Sequence, residues 1–223
     1  MSGCGDPGVP VTTDTLILAA LLSVPPGSTV VDLGCGGGGA IEAASRRNPG
    51  CRWIGIDIRP RALAEMMRSP RAIAGNSTLN AVCCRVEDVP MAFPGGAAEA
   101  VICNPPFTAA GRGRVSPYPS RSLSRTGSDL LVLNFIRAAA HLLVPGGRFL
   151  LVGRPSMLPV MMLGCSTWGL GPEMLQPVGR KGGPAAHVIL ICAMGSSAGL
   201  ILRPQRSADE VISGDGTGDV QSE

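Results

Sequence analysis

Short apolar runs of strand length alternate along this chain with stretches whose apolar residues return at helical spacing, the pattern of a parallel sheet with crossover helices. Thr29–Leu33 is β-branched and apolar, ends in a run of glycines, and is followed by Ala40–Arg47, which suits a helix. Arg52–Ile58 predicts a second strand. Arg61–Arg68 predicts a second helix, with Pro60 near its first turn, where a missing N–H does no harm. Ala81–Val86 and Ala98–Cys103 predict strands three and four. From Ser128 the spacing changes to Leu131, Phe135, Ala138 and Leu142, one apolar helix face with Ser128 or Asp129 as its cap, ending at Pro145-Gly146-Gly147. Arg148–Val152 predicts strand five, and His187–Ala193 and Leu200–Leu202 predict late strands.

With 223 residues, 45% of them hydrophobic and 16% charged, the chain has the makings of one sizeable core, so a single domain is expected. Its 31 glycines and 20 prolines are scattered among apolar runs, which excludes a collagen-like repeat and wholesale disorder. Residues 1–10 and 204–223 are poor in apolar side chains. They are expected to be flexible termini around a domain at 11–203, the second of them acidic. The formal charge of +3 hides an asymmetry: residues 1–206 carry all 19 bases but only 11 of the 16 acids. Such a body can attract a polyanion, but a solvated surface has the same composition, and charge alone does not decide between them.

The eight cysteines show no C-x-x-C spacing and no histidine placed to complete a metal site, so they are read as reduced core residues of a cytoplasmic protein without a metal. No basic segment precedes an apolar core at the N-terminus, and no apolar run approaches the ~18 residues of a membrane span, so neither secretion nor membrane insertion is expected. A monomer is the favoured form. His141, on a helix, and His187, near a strand, are read as structural.

Two motifs point to a nucleotide-like ligand. Asp32-Leu33-Gly34-Cys35-Gly36-Gly37-Gly38 ends the first strand and opens a helix. Glycines at 34, 36 and 38 let the backbone approach a ligand closely and adopt positive φ. A nicotinamide loop would read G-x-G-x-x-G, and the additional Gly37 and Gly39 blur that distinction. Asp57 ends the second strand, where a carboxylate can accept hydrogen bonds from both hydroxyls of a ribose. Glu87-Asp88, after the third strand, offers a carboxylate, here Asp88, for a cofactor's adenine amino group, or else a helix cap.

The third motif, Asn104-Pro105-Pro106-Phe107, follows the fourth strand. In an open parallel sheet, ligands meet in the crevice beyond the carboxyl ends of the strands. An exocyclic amine is a poor nucleophile because its lone pair is delocalised. If Asn104 Oδ1 and the Pro105 carbonyl accept its two N–H groups, the lone pair is turned toward an electrophilic carbon. The prolines fix φ and bring no competing donor. Phe107 can stack on the planar group. Outside this context Asn-Pro-Pro is an ordinary turn.

Together these residues resemble the class I S-adenosylmethionine-dependent methyltransferases with N-P-P-[YF] motifs, and within them the bacterial tRNA (adenine-N6)-methyltransferases that act beside the anticodon of a valine tRNA. Thr13-Asp14-Thr15-Leu16-Ile17-Leu18, the stretch Gly111–Pro117 continuing to Arg121 and Arg125, Leu143–Arg148, Arg154-Pro155 and Val178–Ala185 carry the similarity, which spans roughly residues 11–203. The resemblance implies a Rossmann-like α/β fold with a mostly parallel seven-stranded sheet flanked by helices. It further implies S-adenosylmethionine held by Asp32, Gly34, Gly36, Gly38, Asp57 and Asp88. Asn104, Pro105 and Phe107 become catalytic, and Arg112, Arg114, Arg121 and Lys181 grip a tRNA substrate.

Four arginines and no acid fall within 108–127, a loop able to hold RNA phosphates while a base is turned out of its stack, or simply to be solvated. With aromatics only 3% of the chain, recognition by tRNA shape and phosphates is expected over base stacking. Guanine-N2 and protein-glutamine methyltransferases share the motif. The latter carry an additional N-terminal helical domain, for which the segment before Val11 leaves no room. A non-catalytic nucleotide- or RNA-binding domain is the alternative from another class.

Overall fold

The computed structural model describes residues 12–69, 73–106 and 127–214. The β-branched run Thr29–Leu33 forms β1, buried throughout. It pairs in parallel with β2 (Arg52–Asp57) on one side and β4 (Ala98–Cys103) on the other. Beyond β2 lies β3 (Thr78–Cys83), and beyond β4 lies β5 (Leu143–Gly153). β7 (Ala185–Met194) runs antiparallel to β5 and to β6 (Leu170–Gly179), and β8 (Ile201–Leu202) closes the far edge, in the order β3-β2-β1-β4-β5-β7-β6-β8. The sheet therefore has eight strands, not the expected seven, because the two-residue β8 adds itself along β6.

Period-two alternation sends neighbouring residues to opposite faces of the sheet. Val31, Leu33, Val101 and Phe149 pack on one face with α5 (Gly127–Leu142) and α6 (Leu158–Thr167). Val30, Ala100, Ile102 and Leu150 pack on the other with α1 (Thr13–Leu21), α2 (Gly39–Ser45) and α3 (Pro60–Arg68). Each of the valine, leucine, isoleucine and phenylalanine side chains fully removed from water contributes about 1.5–3 kcal/mol, so the two clusters hold the helices firmly on both faces. The apolar face read from Leu131, Phe135, Ala138 and Leu142 is the face α5 turns to the sheet. The last carbonyls of α5 are satisfied from outside the helix, as Gly96 N–H donates to His141 O at 3.0 Å and Ala97 N–H to Leu142 O at 2.7 Å.

Most boundaries shift by one or two residues, and three departures are larger. β3 starts at Thr78, three residues early, because an edge strand with alternating exposure carries a weak apolar signal. β5 begins at Leu143, directly after the helix, and the Pro145-Gly146-Gly147 turn becomes an irregularity in its register with β4. The tail expected to be flexible from 204 onward instead forms α7 (Ala208–Ser213), with a reciprocal Ser207–Glu210 capping box and Val211 buried in the second cluster. Residues 215–223 and 1–11 lie outside the described residues.

Among the described residues no helix is long and apolar enough to cross a membrane, and no group of three or more His, Cys, Asp or Glu is arranged to hold a metal ion. Five of the seven described cysteines are buried and Cys84 is half-buried against the first cluster, but Cys83 is exposed and is not a core residue. His141 Nε2 lies 2.9 Å from Phe93 O, and His187 Nδ1 lies 3.1 Å from Asp14 Oδ1, without hydrogen-bond alignment.

Candidate active site

The direction of chain progression reverses at β1: β2 and β3 are laid down to one side, β4 and β5 to the other. Such a switch point leaves a crevice at the carboxyl ends of the strands, and a cleft of about 620 Å³ opens there. The in-register pair Leu33–Cys103 brings the next residues, Gly34 and Asn104, to the same end of adjacent strands. Both line the cleft.

The glycine loop forms one wall. Gly34 and Cys35 N–H groups donate to Ile56 O at 2.7 and 3.1 Å, extending the β1–β2 pairing past the end of the strand. Gly34 has φ +77, and a Cβ there would stand 3.3 Å from Cε1 of Phe135 on α5. Gly36 and Gly37 face the cleft, whereas Gly38, at φ +82, packs against Met66 of α3 and is not on the wall.

Asp57 is buried and fully engaged. Its Oδ2 accepts from Gly36 N–H at 2.8 Å and Arg59 Nη2 at 3.2 Å, and its Oδ1 from Arg59 N–H at 2.8 Å and Nε at 3.0 Å. Burial alone would raise its pKa, but the Arg59 side chain, the two backbone N–H groups and the Arg59 charge together hold it below the ordinary value. Asp32 is the reverse case. It is buried on the cleft floor, Oδ2 has no hydrogen-bond partner among the described residues, and burial, then the charge of Asp57, pushes its pKa up to about 7. Burial, then Asp32, also pushes up the thiols of Cys35 and Cys103, so both stay protonated and neither is a nucleophile.

The opposite wall starts with Asn104, half-buried, and Pro106, exposed, with Pro105 buried between them. No hydrogen bond ties the Asn104 side chain to another described residue, which leaves its amide available to a ligand. Phe107, Arg112, Arg114 and Arg121 lie outside the described residues. Asp88 is exposed at the start of α4 (Val89–Ala92), and Glu87 stands on the wall in its place. Lys181 is exposed in the β6–β7 turn, at the cleft end of the sheet but away from the wall.

The structure adds wall residues that the sequence reading passed over. Thr12 and Thr15 reach the cleft from the start of α1, Arg59 and Cys84 from the ends of β2 and β3, and Leu131 and Phe135 from α5. Phe135 was legible only as one position of an apolar helix face, and Arg59 only as a cation two residues from an acid.

The residues present fit an adenosyl cofactor: a carboxylate at the end of β2, a loop of glycines interrupted only by the buried Cys35, and an acid on the floor of the cleft whose Oδ2 has no partner among the described residues. The family model described as the methyltransferase small domain matches residues 10–163. The tRNA1(Val) (adenine(37)-N6)-methyltransferase of Shewanella halifaxensis is 25% identical over 163 residues, 73% of this chain and 65% of that protein. The enzyme of the same name from Aliivibrio salmonicida is 24% identical over 141 residues, 63% of this chain and 58% of that protein. The chain thus spans less than two thirds of the length of either relative. Among solved structures, a protein described as a predicted O-methyltransferase from Agrobacterium tumefaciens superposes with a TM-score of 0.71 at 20% identity, covering 90% of this chain and 96% of that one, a likeness of fold.

Proposed function

Since the chain belongs to the methyltransferase small domain family, we propose that it is an S-adenosylmethionine-dependent N-methyltransferase whose substrate is the N6 amino group of an adenine in tRNA. The observation that carries this reading is that Asn104 and Pro106 share one cleft with Asp32, Gly34, Gly36 and Asp57. A cofactor seat and an amine-orienting peptide thus face the same space. The two relatives named for tRNA adenine-N6 methylation support the choice of substrate.

Asp57 would hold the ribose, the glycine loop would lie along the rest of the cofactor, and the apolar Ile58 and Val86, which line the same cleft, would flank it. When bound, the cofactor supplies a methyl group made electrophilic by a sulfonium. Asn104 Oδ1 and the Pro105 carbonyl each accept one N–H of the target amine and aim its lone pair, which costs the enzyme no reorganisation because Pro105 and Pro106 fix the backbone. Phe107 stacks on the base. No side-chain base is needed, because the nitrogen, once methylated, is far more acidic and releases its proton to water. Arg112, Arg114, Arg121 and Lys181 hold phosphates around the mouth. Domain limits at 11–203 go with this reading, with α7 as a C-terminal addition docked on α1.

The test is methylation of a panel of unmodified tRNAs with labelled S-adenosylmethionine, followed by nucleoside analysis and mapping of the product. N6-methyladenine at one tRNA position is expected. N2-methylguanine, or label in protein glutamine, would overturn the substrate assignment.

A further inference from the structure

Arg59 places a cation where the cofactor reading needs a vacant acceptor. An ionised carboxylate offers about four lone-pair sites, and all four of Asp57's are taken. Gly36 N–H and Arg59 N–H are backbone donors fixed by the loop and by the turn into α3. Arg59 Nε and Nη2 occupy the other two sites, one on each oxygen. A ribose diol also presents two donors, one for each oxygen of the carboxylate. The guanidinium and the diol therefore compete for the same pair of positions.

The two partners of the ion pair differ in exposure. Asp57 is 5% exposed and held from three directions, whereas the Arg59 side chain is 53% exposed and grips through one edge of its guanidinium. It also crowds the loop: a Cβ on Gly36 would come within 3.2 Å of Arg59 Nη2. The pair is open to water on the arginine side only, where solvent and salt can take over the guanidinium, so the arginine leaves more cheaply than it would from a pair buried on both sides.

Resting on the cofactor reading above, we propose that Arg59 is a latch on the ribose seat: its guanidinium stands in for the ribose diol on Asp57 and swings out when the cofactor enters. Asp57 is thereby kept paired, and the loop kept ordered, at a cost to apparent affinity equal to the work of opening the pair. Arg59 is a specificity-determining residue, since only a ligand with both hydroxyls can replace what it gives Asp57.

The test is calorimetric binding of two uncharged probes, adenosine and 2′,3′-dideoxyadenosine, to the parent, Arg59→Ala, Arg59→Lys and Asp57→Asn, each first shown to be folded by its thermal unfolding curve. Arg59→Ala should tighten adenosine by about two- to fivefold, the worth of a pair exposed on its cationic side, and leave the dideoxy compound unchanged. Arg59→Lys, which loses the two-pronged grip but not the charge, should fall between parent and alanine variant. Raising the salt should tighten adenosine in the parent and not in Arg59→Ala. Weaker adenosine binding by Arg59→Ala, or an equal change for both probes, would overturn the latch. Asp57→Asn separates the two ideas: if it binds adenosine like the parent, the ribose seat itself is wrong and the latch falls with it. If it weakens adenosine while Arg59→Ala fails to tighten it, only the latch is lost.

Discussion

Gly36 donates its backbone N–H to Asp57 Oδ2 at 2.8 Å, which makes the turn after β1 and the carboxylate ending β2 one hydrogen-bonded unit. Damage to either half is therefore felt by both.

Asp57→Asn keeps the size of that side chain, removes its charge, and replaces one acceptor oxygen by an NH2 group that faces two of the donors. Binding of S-adenosylhomocysteine should weaken by about ten- to a hundredfold, the size of one charged hydrogen bond or slightly more. Titration calorimetry gives the answer directly. Unchanged affinity would mean the ribose lies elsewhere.

Asn104→Ala probes the other wall. The side chain bonds to no other described residue, so the fold loses little. The expected result is a fall in kcat of at least about a hundredfold, as for removal of one preorganised polar contact to a reacting group, with S-adenosylhomocysteine affinity within about twofold of the parent. Equal turnover by variant and parent would show that the amine is oriented by something else.

Much of this site was legible because its residues sit where strands end, and strand ends are marked by glycine, aspartate and proline. What was not legible has physical reasons. β6 contains Pro172 and Pro177, which read as loop. They are tolerated because β6 lies near the sheet edge, paired on its outer side only with β8, and its register with β7 shifts just after Pro172. α6 is apolar nearly all round, with Pro159 in its first turn and Gly164 inside, so no helical stripe stands out. Its Gly164 is nonetheless required, because a Cβ there would stand 2.7 Å from Ile136 of α5. Arg59 was missed because a cation beside an acid is usually solvent-facing decoration, and only the hydrogen-bond count on Asp57 distinguishes it.

Asp32 and Asp57, both in the cleft, set opposite pH dependences. Asp32 titrates near 3.8 when unfolded and at about 7 when folded. Between those values the folded protein keeps a proton that the unfolded chain has released, so this group makes stability fall as pH rises from about 4 to about 7, and level off above. Asp57, held below its unfolded value, contributes stability that is present above 3.8 and lost as pH falls through its lowered folded value. Denaturant unfolding of the parent and Asp32→Asn at stepped pH isolates the first effect. The advantage of the variant should grow from pH 4 to 7 and then stay constant. A difference that does not move with pH would mean Asp32 is ionised throughout.

Arg112→Ala with Arg114→Ala tests the arginine-rich segment independently of the cleft. Each lost phosphate contact lowers the slope of log affinity against log salt by roughly 0.7 to 0.9. A drop of about 1.5 in the slope for tRNA is expected, with cofactor affinity unchanged. An unaltered slope would leave these arginines as solvated loop residues.

Gly37 and Gly38 are adjacent in the sequence yet should fail for different reasons. At Gly38, φ is +82 and an added Cβ would stand 2.5 Å from Cγ and 2.8 Å from Sδ of Met66, a fully buried side chain with nowhere to go. Left-handed strain at a non-glycine residue costs about 1–3 kcal/mol, and the clash adds to it. Gly38→Ala should therefore lower the thermal midpoint by several degrees. At Gly37 a Cβ meets no atom of the described residues within 4 Å and φ is ordinary, but the residue faces the cleft. Gly37→Ala should melt with the parent, within about 0.5 kcal/mol, and lose affinity for S-adenosylhomocysteine, because its methyl group points into the cleft and touches no described residue. Paired melting and binding measurements on the two variants decide the matter. If Gly37→Ala binds as tightly as the parent, the loop does not approach the cofactor closely and the glycine there is incidental.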